Sequence, residues 1–205
     1  MGLDKRARIH REQSHLRRWL LPLAMFGLSL ALLAGGDTAR EQLRYDRVAI
    51  MTGEVWRLLS AHFVHLGSSH FALNMAGLGL VWYLTGHAMS RSQWIAVLAF
   101  SAAVIDLGFW FLNPDLRWYV GLSGVLHGLL VAGLMNSASF HRKDLVAVAL
   151  IVAAKLAWEQ FSGPLPGSAA SSGGAVIVDA HLYGAVAGAV AGLLARIRVA
   201  RTGSI

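Results

Sequence analysis

The chain has 205 residues, of which 56% are hydrophobic and only 14% charged, whereas a soluble domain averages about 25% charged. This composition favours one compact membrane domain and leaves no room for a second sizeable one. The net charge is +7, but the basic residues lie at the chain ends and in short segments, not on a folded polar face, so no nucleic-acid partner is predicted. The absence of cysteine excludes disulfides, thiolate zinc sites and a cysteine nucleophile.

Six apolar runs are each near the ~20 residues that a helix needs to cross ~30 Å of hydrocarbon. They are residues 19–35, 70–88, 93–112, 120–138, 144–161 and 179–196. The first run follows a basic segment and so resembles a signal peptide, but it has no clear small-residue cleavage site and further spans follow it, which favours a retained span. The predicted organisation is a basic N-terminal segment (1–18), a membrane domain (19–196) and a tail (197–205).

The basic residues predict the orientation of these spans. If the N-terminus is cytoplasmic, most lysines and arginines outside the spans fall on the cytoplasmic side. Those that follow the first span are Arg91, Arg142, Lys143, Arg196, Arg198 and Arg201. Positive charge accumulates on the inner side of membrane proteins. We therefore expect both termini in the cytoplasm.

The two longest predicted outer loops differ in character. Residues 36–69 are long for a helix connection and include Trp56, Leu58 and Phe63. They predict an interfacial hairpin of short helices lying on the bilayer rather than an ordinary solvated loop. Residues 162–174 carry no charge and are rich in Ser, Gly and Pro, which predicts a flexible loop.

Three reactive side chains stand at equivalent places in three spans. His70, Ser123 and His181 lie near the starts of the second, fourth and sixth spans, all of which run from outside to inside in the predicted topology. The three side chains should therefore lie at similar depth just below the outer surface. A hydroxyl and imidazoles at one depth are the components of an acyl-transfer site.

Local spacing predicts donors for a developing oxyanion. His70 and Asn74 are four residues apart, so they share one helix face and both can donate to a single oxygen. Ser123 lies between Gly121 and Gly124, where a helix begins and backbone N–H groups are unpaired. Such donors stabilise a tetrahedral intermediate.

Small residues predict which spans touch. They recur at four-residue intervals on the fourth and sixth spans, at Gly124, Gly128, Gly184, Gly188 and Gly192. This interval lets two helix backbones approach closely. Packing of the two spans would bring Ser123 to His181, which could act as general base.

The other histidines allow alternatives. His127 lies one turn below Ser123 and could compete with His181 as base or support the site through a hydrogen bond; we favour the supporting role. A second alternative is a metal or haem held by His62, His65, His70, His127 and His181. No pair of them has the spacing of a zincin motif, so no metal and no cofactor is predicted.

No carboxylate is predicted to orient the base. Lys155 and Glu159 are four apart within the fifth span and can pair on one helix face. Asp179 precedes His181 by two residues, and residues two apart on a helix point to different sides. The predicted catalytic group is therefore a pair, Ser123 and His181.

Three motifs together resemble the rhomboid family of intramembrane serine proteases. They are His-x-x-x-Asn at 70–74, Gly-x-Ser-Gly at 121–124 and Ala-His-x-x-Gly at 180–184. The resemblance implies an all-α polytopic membrane protein, a six-transmembrane-helix rhomboid-like bundle with an interfacial first outer loop. It also implies that Ser123 is the nucleophile and His181 the base. His70, Asn74 and the Ser123 backbone would be the oxyanion donors, and no metal or cofactor would take part.

Further details resemble one branch, the rhombosortases. They are Gly-Leu-Ser-Gly-Val-Leu-His-Gly (121–128), Lys-Leu-Ala-Trp-Glu-Gln (155–160) before Pro-Leu-Pro-Gly (164–167), and His-Leu-Tyr-Gly (181–184). This likeness implies cleavage of exported proteins that carry a C-terminal Gly-Gly-type signal with an apolar helix and a basic tail. It implies an inner-membrane enzyme of Gram-negative bacteria whose site opens to the periplasm. Val176 and Tyr183 depart from the broader pattern, which has small residues there.

Two other functions fit the same sequence. A non-catalytic rhomboid-like protein would bind membrane clients without cutting them, and it would not depend on the Ser123 hydroxyl. A polytopic haem or metal protein would carry a chromophore or a bound ion and would lose its activity to chelators.

Overall fold

The computed structural model describes residues 18–138 and 141–202, of which 199–202 are described as backbone only. Most of the predicted N-terminal segment and the last residues of the predicted tail lie outside these ranges. The long helices are α1 (Leu20–Ala34), α5 (Ser68–Thr85), α6 (Arg91–Leu112), α7 (Ser123–Asn136), α8 (Arg142–Ser162) and α10 (Asp179–Thr202). The short helices are α2 (Gly36–Leu43), α3 (Arg47–Met51), α4 (Arg57–Ser60) and α9 (Ser168–Ser172), with a 3-10 turn at Ala61–Phe63.

A helix lies at each of the six predicted spans. By length and hydropathy, α6, α8 and the Asp179–Arg198 part of α10 could each cross a membrane, and α1 with α2 would make a fourth span only as a bent pair. The bend between α1 and α2 is 114°. Helix α7 is shorter than predicted, because residues 120–122 are irregular and it begins at Ser123. The structure thus shows several apolar helices of membrane type.

The segment 36–69 is built from short helices held by two arginines. Arg47 donates to the carbonyl oxygens of Phe109 (2.5 Å) and Asn113 (3.0 Å), which satisfies the end of α6. Arg57 is buried, donates to the carbonyl oxygens of Glu41 (2.7 Å) and Arg44 (3.0 Å), and pairs with a neighbouring carboxylate. The segment is therefore an ordered part of the fold.

A two-residue antiparallel ladder ties this segment to the loop before α7. Strand β1 (Tyr45–Asp46) pairs with β2 (Trp118–Tyr119), Tyr45 lying opposite Tyr119. The Tyr119 ring packs on Phe109, with ring centroids 4.8 Å apart. The turn that leads into Ser123 is thus fixed from both sides.

The loop at 162–174 contains a helix that the sequence reading did not predict. Its composition suggested irregular backbone, but α9 covers Ser168–Ser172. Gly167 and Gly173 flank it with left-handed backbone, which glycine adopts without steric cost. The alanines at 169 and 170 favour the turn of helix between them.

The predicted glycine contact between α7 and α10 is confirmed. A Cβ on Gly184 would collide with the carbonyl group of Gly124, and a Cβ on Gly188 would collide with that of Gly128. The two backbones therefore touch, as small residues allow in membrane helices. This contact is the most extensive between any two helices of the described chain.

Tyr183 does not loosen this packing, although the family pattern described above has a small residue at this position. Its ring fills the space beside Gly108 of α6, where no side chain could fit. Its hydroxyl donates to Oδ1 of Asn113 at 2.7 Å. A large residue on α10 is thus matched by a glycine on α6.

Candidate active site

The close contact of α7 and α10 brings the two predicted catalytic groups together. Oγ of Ser123 lies 2.9 Å from Nε2 of His181, which is hydrogen-bond distance. Ser123 is the first residue of α7 and His181 the third of α10. His181 is only 5% exposed. The pair is therefore formed by two helix starts whose separation is fixed by glycine packing below them.

A carboxylate that the sequence reading did not assign to the site lies behind the imidazole. Oε2 of Glu159 is 2.8 Å from Nδ1 of His181, and Nζ of Lys155 is 2.7 Å from the same oxygen. The predicted Lys155–Glu159 pair is thus confirmed, but it faces His181. Asp179 does not contact His181; its carboxylate accepts from Nδ2 of Asn113 at 2.7 Å. Charged residues inside an apolar helix were the available signal, since such residues usually serve function.

His127 contacts both residues of the pair. Its ring stacks on that of His181 with centroids 4.5 Å apart and planes 23° apart. Its Nδ1 lies 2.7 Å from the carbonyl oxygen of Ser123. The ring of His127 therefore packs on the imidazole of His181. The hydroxyl of Ser123 is hydrogen-bonded to His181 and not to His127.

His70 and Asn74 face the same cavity as Ser123. The backbone N–H of Leu66 donates to Nδ1 of His70 at 3.2 Å, so the neutral ring carries its hydrogen on Nε2. That nitrogen lies beside Gly121, whose backbone is left-handed at φ +130°. Asn74 donates to the carbonyl oxygen of His70 at 2.9 Å and keeps a second N–H. Both side chains can therefore donate to an oxygen bound near Ser123.

These groups line one cavity of about 350 Å³. Its polar wall includes Ser123, His181, Glu159, His127, His70, Asn74 and Lys155. Its other walls are mainly apolar and come from α5, α7 and the segment after α8, including Leu73, Leu126 and Val176. A mostly apolar cavity with a few convergent polar groups is typical of a ligand or substrate site.

His62 and His65 are not among the residues that line this cavity. His62 Nε2 is 3.4 Å from Oδ1 of Asp106, and both residues are buried. His65 is buried against His70 and Phe71, with ring centroids 5.2 and 5.6 Å away. Within residues 18–138 and 141–202, no three His, Asp or Glu side chains are grouped as a metal site.

His65 predicts an acid-sensitive fold. Burial, with His70 nearby, lowers the pKa of His65 from 6.5 to about 3. Between these pKa values the unfolded chain binds a proton at His65 and the folded chain does not. The contribution of neutral His65 to the unfolding free energy is therefore full above pH 6.5 and falls as the pH drops toward 3. Between pH 7 and pH 5 the unfolding free energy should fall by about 2 kcal/mol more than in His65→Phe. Chemical unfolding in micelles at the two pH values measures this, with His87→Phe as an exposed control; equal slopes in wild type and His65→Phe would rule it out.

Comparison with protein families identifies the chain. A family model, described as the Rhomboid domain, matches residues 52–198. The chain belongs to the rhomboid family. The match contains all three motifs and every cavity residue named above. No curated protein matches the chain at a significant level of similarity.

Membership of the rhomboid family establishes the general class. Rhomboid proteins are generally intramembrane serine proteases, which hydrolyse peptide bonds of transmembrane substrates within the bilayer. With its apolar helices, this rhomboid protein is a multi-pass membrane protein.

Proposed function

We propose that this rhomboid protein is an active intramembrane serine endopeptidase that uses Ser123 and His181 as a catalytic dyad. The observation that carries the proposal is the 2.9 Å contact between Oγ of Ser123 and Nε2 of His181. The alternative, a client-binding protein without catalysis, gives no reason for a hydroxyl and an imidazole to meet inside an apolar cavity.

The proposed reaction has two halves. In the first, Oγ of Ser123 attacks the substrate carbonyl carbon while its proton passes to Nε2 of His181. The tetrahedral intermediate then loses the amine as the C–N bond breaks, and Nε2 returns the proton to that amine. In the second half, water attacks the acyl-enzyme and gives a proton to Nε2; the ester bond breaks, and Oγ takes that proton back. The products are a new carboxyl group, a new amine and the original serine.

The oxyanion of each intermediate would be bound by three donors. These are Nε2–H of His70, the amide of Asn74 and the backbone N–H of Ser123. Their placement around one cavity supports this role, as does the start of α7 at Ser123, where the helix dipole favours negative charge. Loss of one such donor costs typically ~2.7–4 kcal/mol of barrier.

We further propose six membrane spans with both termini in the cytoplasm and the site opening to the periplasm. At 1.5 Å per residue, the 14 residues of α7 cover only about 21 Å of the ~30 Å hydrocarbon. Most of α7 is buried by other helices, so it need not reach both surfaces itself. Its short length would place Ser123 below the outer surface, while segment 36–69 would lie at the interface.

The proposed substrates are exported proteins with a C-terminal Gly-Gly-type signal, an apolar helix and a basic tail, as in the rhombosortase branch. The motifs of that branch, at 121–128 and 155–160, support this choice. They line the cavity from α7 and α8. The proposed location is the inner membrane of a Gram-negative bacterium.

A reporter tests this proposal in proteoliposomes. The reporter joins a soluble domain to Gly-Gly, an apolar helix and a basic tail. We expect cleavage near Gly-Gly by wild type and none by Ser123→Ala, because the nucleophile is lost. Replacing Gly-Gly by Leu-Leu should slow cleavage, since a regular helix shields its own carbonyls. An uncut reporter that co-purifies equally with wild type and Ser123→Ala would support client binding instead.

A further inference from the structure

We infer that Glu159 is a positioning residue for His181 and that Lys155 holds it in place, which rests on the proposed Ser123–His181 chemistry. The carboxylate is 2.8 Å from Nδ1 of His181 and 2.7 Å from Nζ of Lys155. The site would then be a serine–histidine–glutamate triad, with Lys155 bonded to the glutamate, rather than a dyad alone.

The location of Glu159 argues against a purely structural ion pair. Helix α8 is described in full, from Arg142 to Ser162, and Glu159 is its one buried residue. Glu159 is 3% exposed, whereas only 6% of the residues in the apolar 18-residue window of this helix are buried in the protein. Burying a charge in this environment is costly unless it is paired. Glu159 is thus the one residue of this helix that is fully buried, whereas Leu145, Val148, Val152 and Leu156 on the same side are only partly buried.

The chemistry of the imidazole explains what the carboxylate would do. For Nε2 to take the serine proton, it must be bare, so Nδ1 must carry the hydrogen. An ionised carboxylate only accepts hydrogen bonds, and Oε2 of Glu159 faces Nδ1. It therefore selects the tautomer in which Nε2 is bare. When Nε2 becomes protonated, the same carboxylate stabilises the imidazolium.

Lys155 makes this selection necessary. Its Nζ is also 3.3 Å from Nδ1 of His181. If the ammonium donated to a bare Nδ1, the ring hydrogen would sit on Nε2 and face the serine, which is the inactive tautomer. Because Oε2 of Glu159 accepts from both groups, it satisfies the ammonium and Nδ1–H together.

No other described carboxylate can replace Glu159. The groups that face His181 are Ser123 and His127 from α7, His70 across the cavity from α5, and Lys155 and Glu159 from α8. Among them Glu159 is the only acid. Asp179, on the same helix as His181, is engaged by Asn113.

The test measures how fast a fluorophosphonate probe modifies the full-length protein in micelles. In this reaction Oγ of Ser123 bonds to phosphorus, fluoride leaves and Nε2 takes the serine proton. The maximal rate and the half-saturating probe concentration are obtained separately for Glu159→Gln, Glu159→Asp, Lys155→Met and the double variant Glu159→Gln/Lys155→Met. Asp144→Asn, an exposed acid on the same helix, is the matched control, and thermal unfolding checks the fold of each variant.

We expect Glu159→Gln to lower the maximal rate by about 10²–10⁴-fold with little change in half-saturating concentration. Glu159→Asp should recover most of the rate, because it keeps a carboxylate. At equal folded fraction, the double variant should be faster than Glu159→Gln alone, because the competing ammonium is gone; a merely structural role predicts equal rates once the folded fraction is matched. A wild-type rate in Glu159→Gln, or a double variant no faster than the single one, would overturn the inference.

If Glu159→Gln does not fold, Glu159→Asp decides. A rate near that of wild type in Glu159→Asp supports the inference, and a large loss in Glu159→Asp with an unchanged unfolding temperature contradicts it. Equal labelling of wild type and Ser123→Ala would remove the proposed function itself, and the role of Glu159 with it. Specific labelling of Ser123 at the same rate in wild type and Glu159→Gln would overturn this inference alone.

Discussion

Replacing His181 with alanine is expected to slow modification of Ser123 by a fluorophosphonate by about 10⁴-fold or more. An isolated serine hydroxyl is a weak nucleophile at neutral pH, and its reactivity depends on a base that accepts its proton. Nε2 of His181 is the acceptor, at 2.9 Å from Oγ. His127 should not rescue the reaction, because its Nδ1 contacts the carbonyl oxygen of Ser123 and not its hydroxyl.

The labelling rate of purified protein measures this effect, and Ser123→Ala gives the background rate. His87→Ala is the matched control, because His87 is an exposed histidine in the turn after α5 and should label at the wild-type rate. Labelling of His181→Ala within tenfold of wild type would mean that another group activates the serine. The dyad would then be wrong.

Replacing Gly188 with alanine should cost more than about 3 kcal/mol of unfolding free energy. A Cβ at this position would collide with the carbonyl group of Gly128, so α7 and α10 must separate. Overpacking in a core typically costs 1–3 kcal/mol when side chains can yield, but here the obstacle is backbone. Because the same contact holds Ser123 near His181, labelling should fall as well.

The matched control is Gly79→Ala on α5, where an added Cβ meets nothing within 4 Å. Both substitutions gain about 1 kcal/mol of helix propensity, so the difference between them isolates the collision. Unfolding in mixed micelles measures both variants. If Gly188→Ala were as stable as Gly79→Ala, the close helix contact would be contradicted.

The sequence predicted the apolar helices and the meeting of two of them, because both depend on simple patterns. Hydrophobic length gives the helices, and the glycine interval on α7 and α10 gives their contact. Since Ser123 and His181 stand near the starts of those helices, their approach followed from the packing. Their catalytic roles remain predictions.

The sequence did not predict that Glu159 belongs to the site, because His181, which it contacts, lies on another helix. The i,i+4 spacing with Lys155 predicted a local pair correctly, but spacing within a helix does not show which neighbour that pair faces. Similarly, Asp106 lies in α6, and its approach to His62 depends on the folding of segment 36–69. Contacts set by docking between distant elements are not contained in local periodicity.

The short helix α9 was missed for a different reason. Serine, glycine and proline made residues 162–174 resemble irregular backbone, and these residue types do favour turns. A five-residue helix is too short for any hydrophobic period to reveal. Its place beside the cavity, which Ser168 and Ser172 help to line, comes from tertiary contacts.

Peptide mapping of the fluorophosphonate adduct tests the central claim most directly, namely that the Ser123 hydroxyl is activated by His181 inside the membrane domain. Wild-type protein is labelled to completion, digested and sequenced by mass spectrometry. The predicted result is one phosphonyl group per chain, on Ser123, that is absent from His181→Ala under the same conditions. An adduct on Ser168 or Ser172 instead, or an adduct on Ser123 that forms equally without His181, would contradict it.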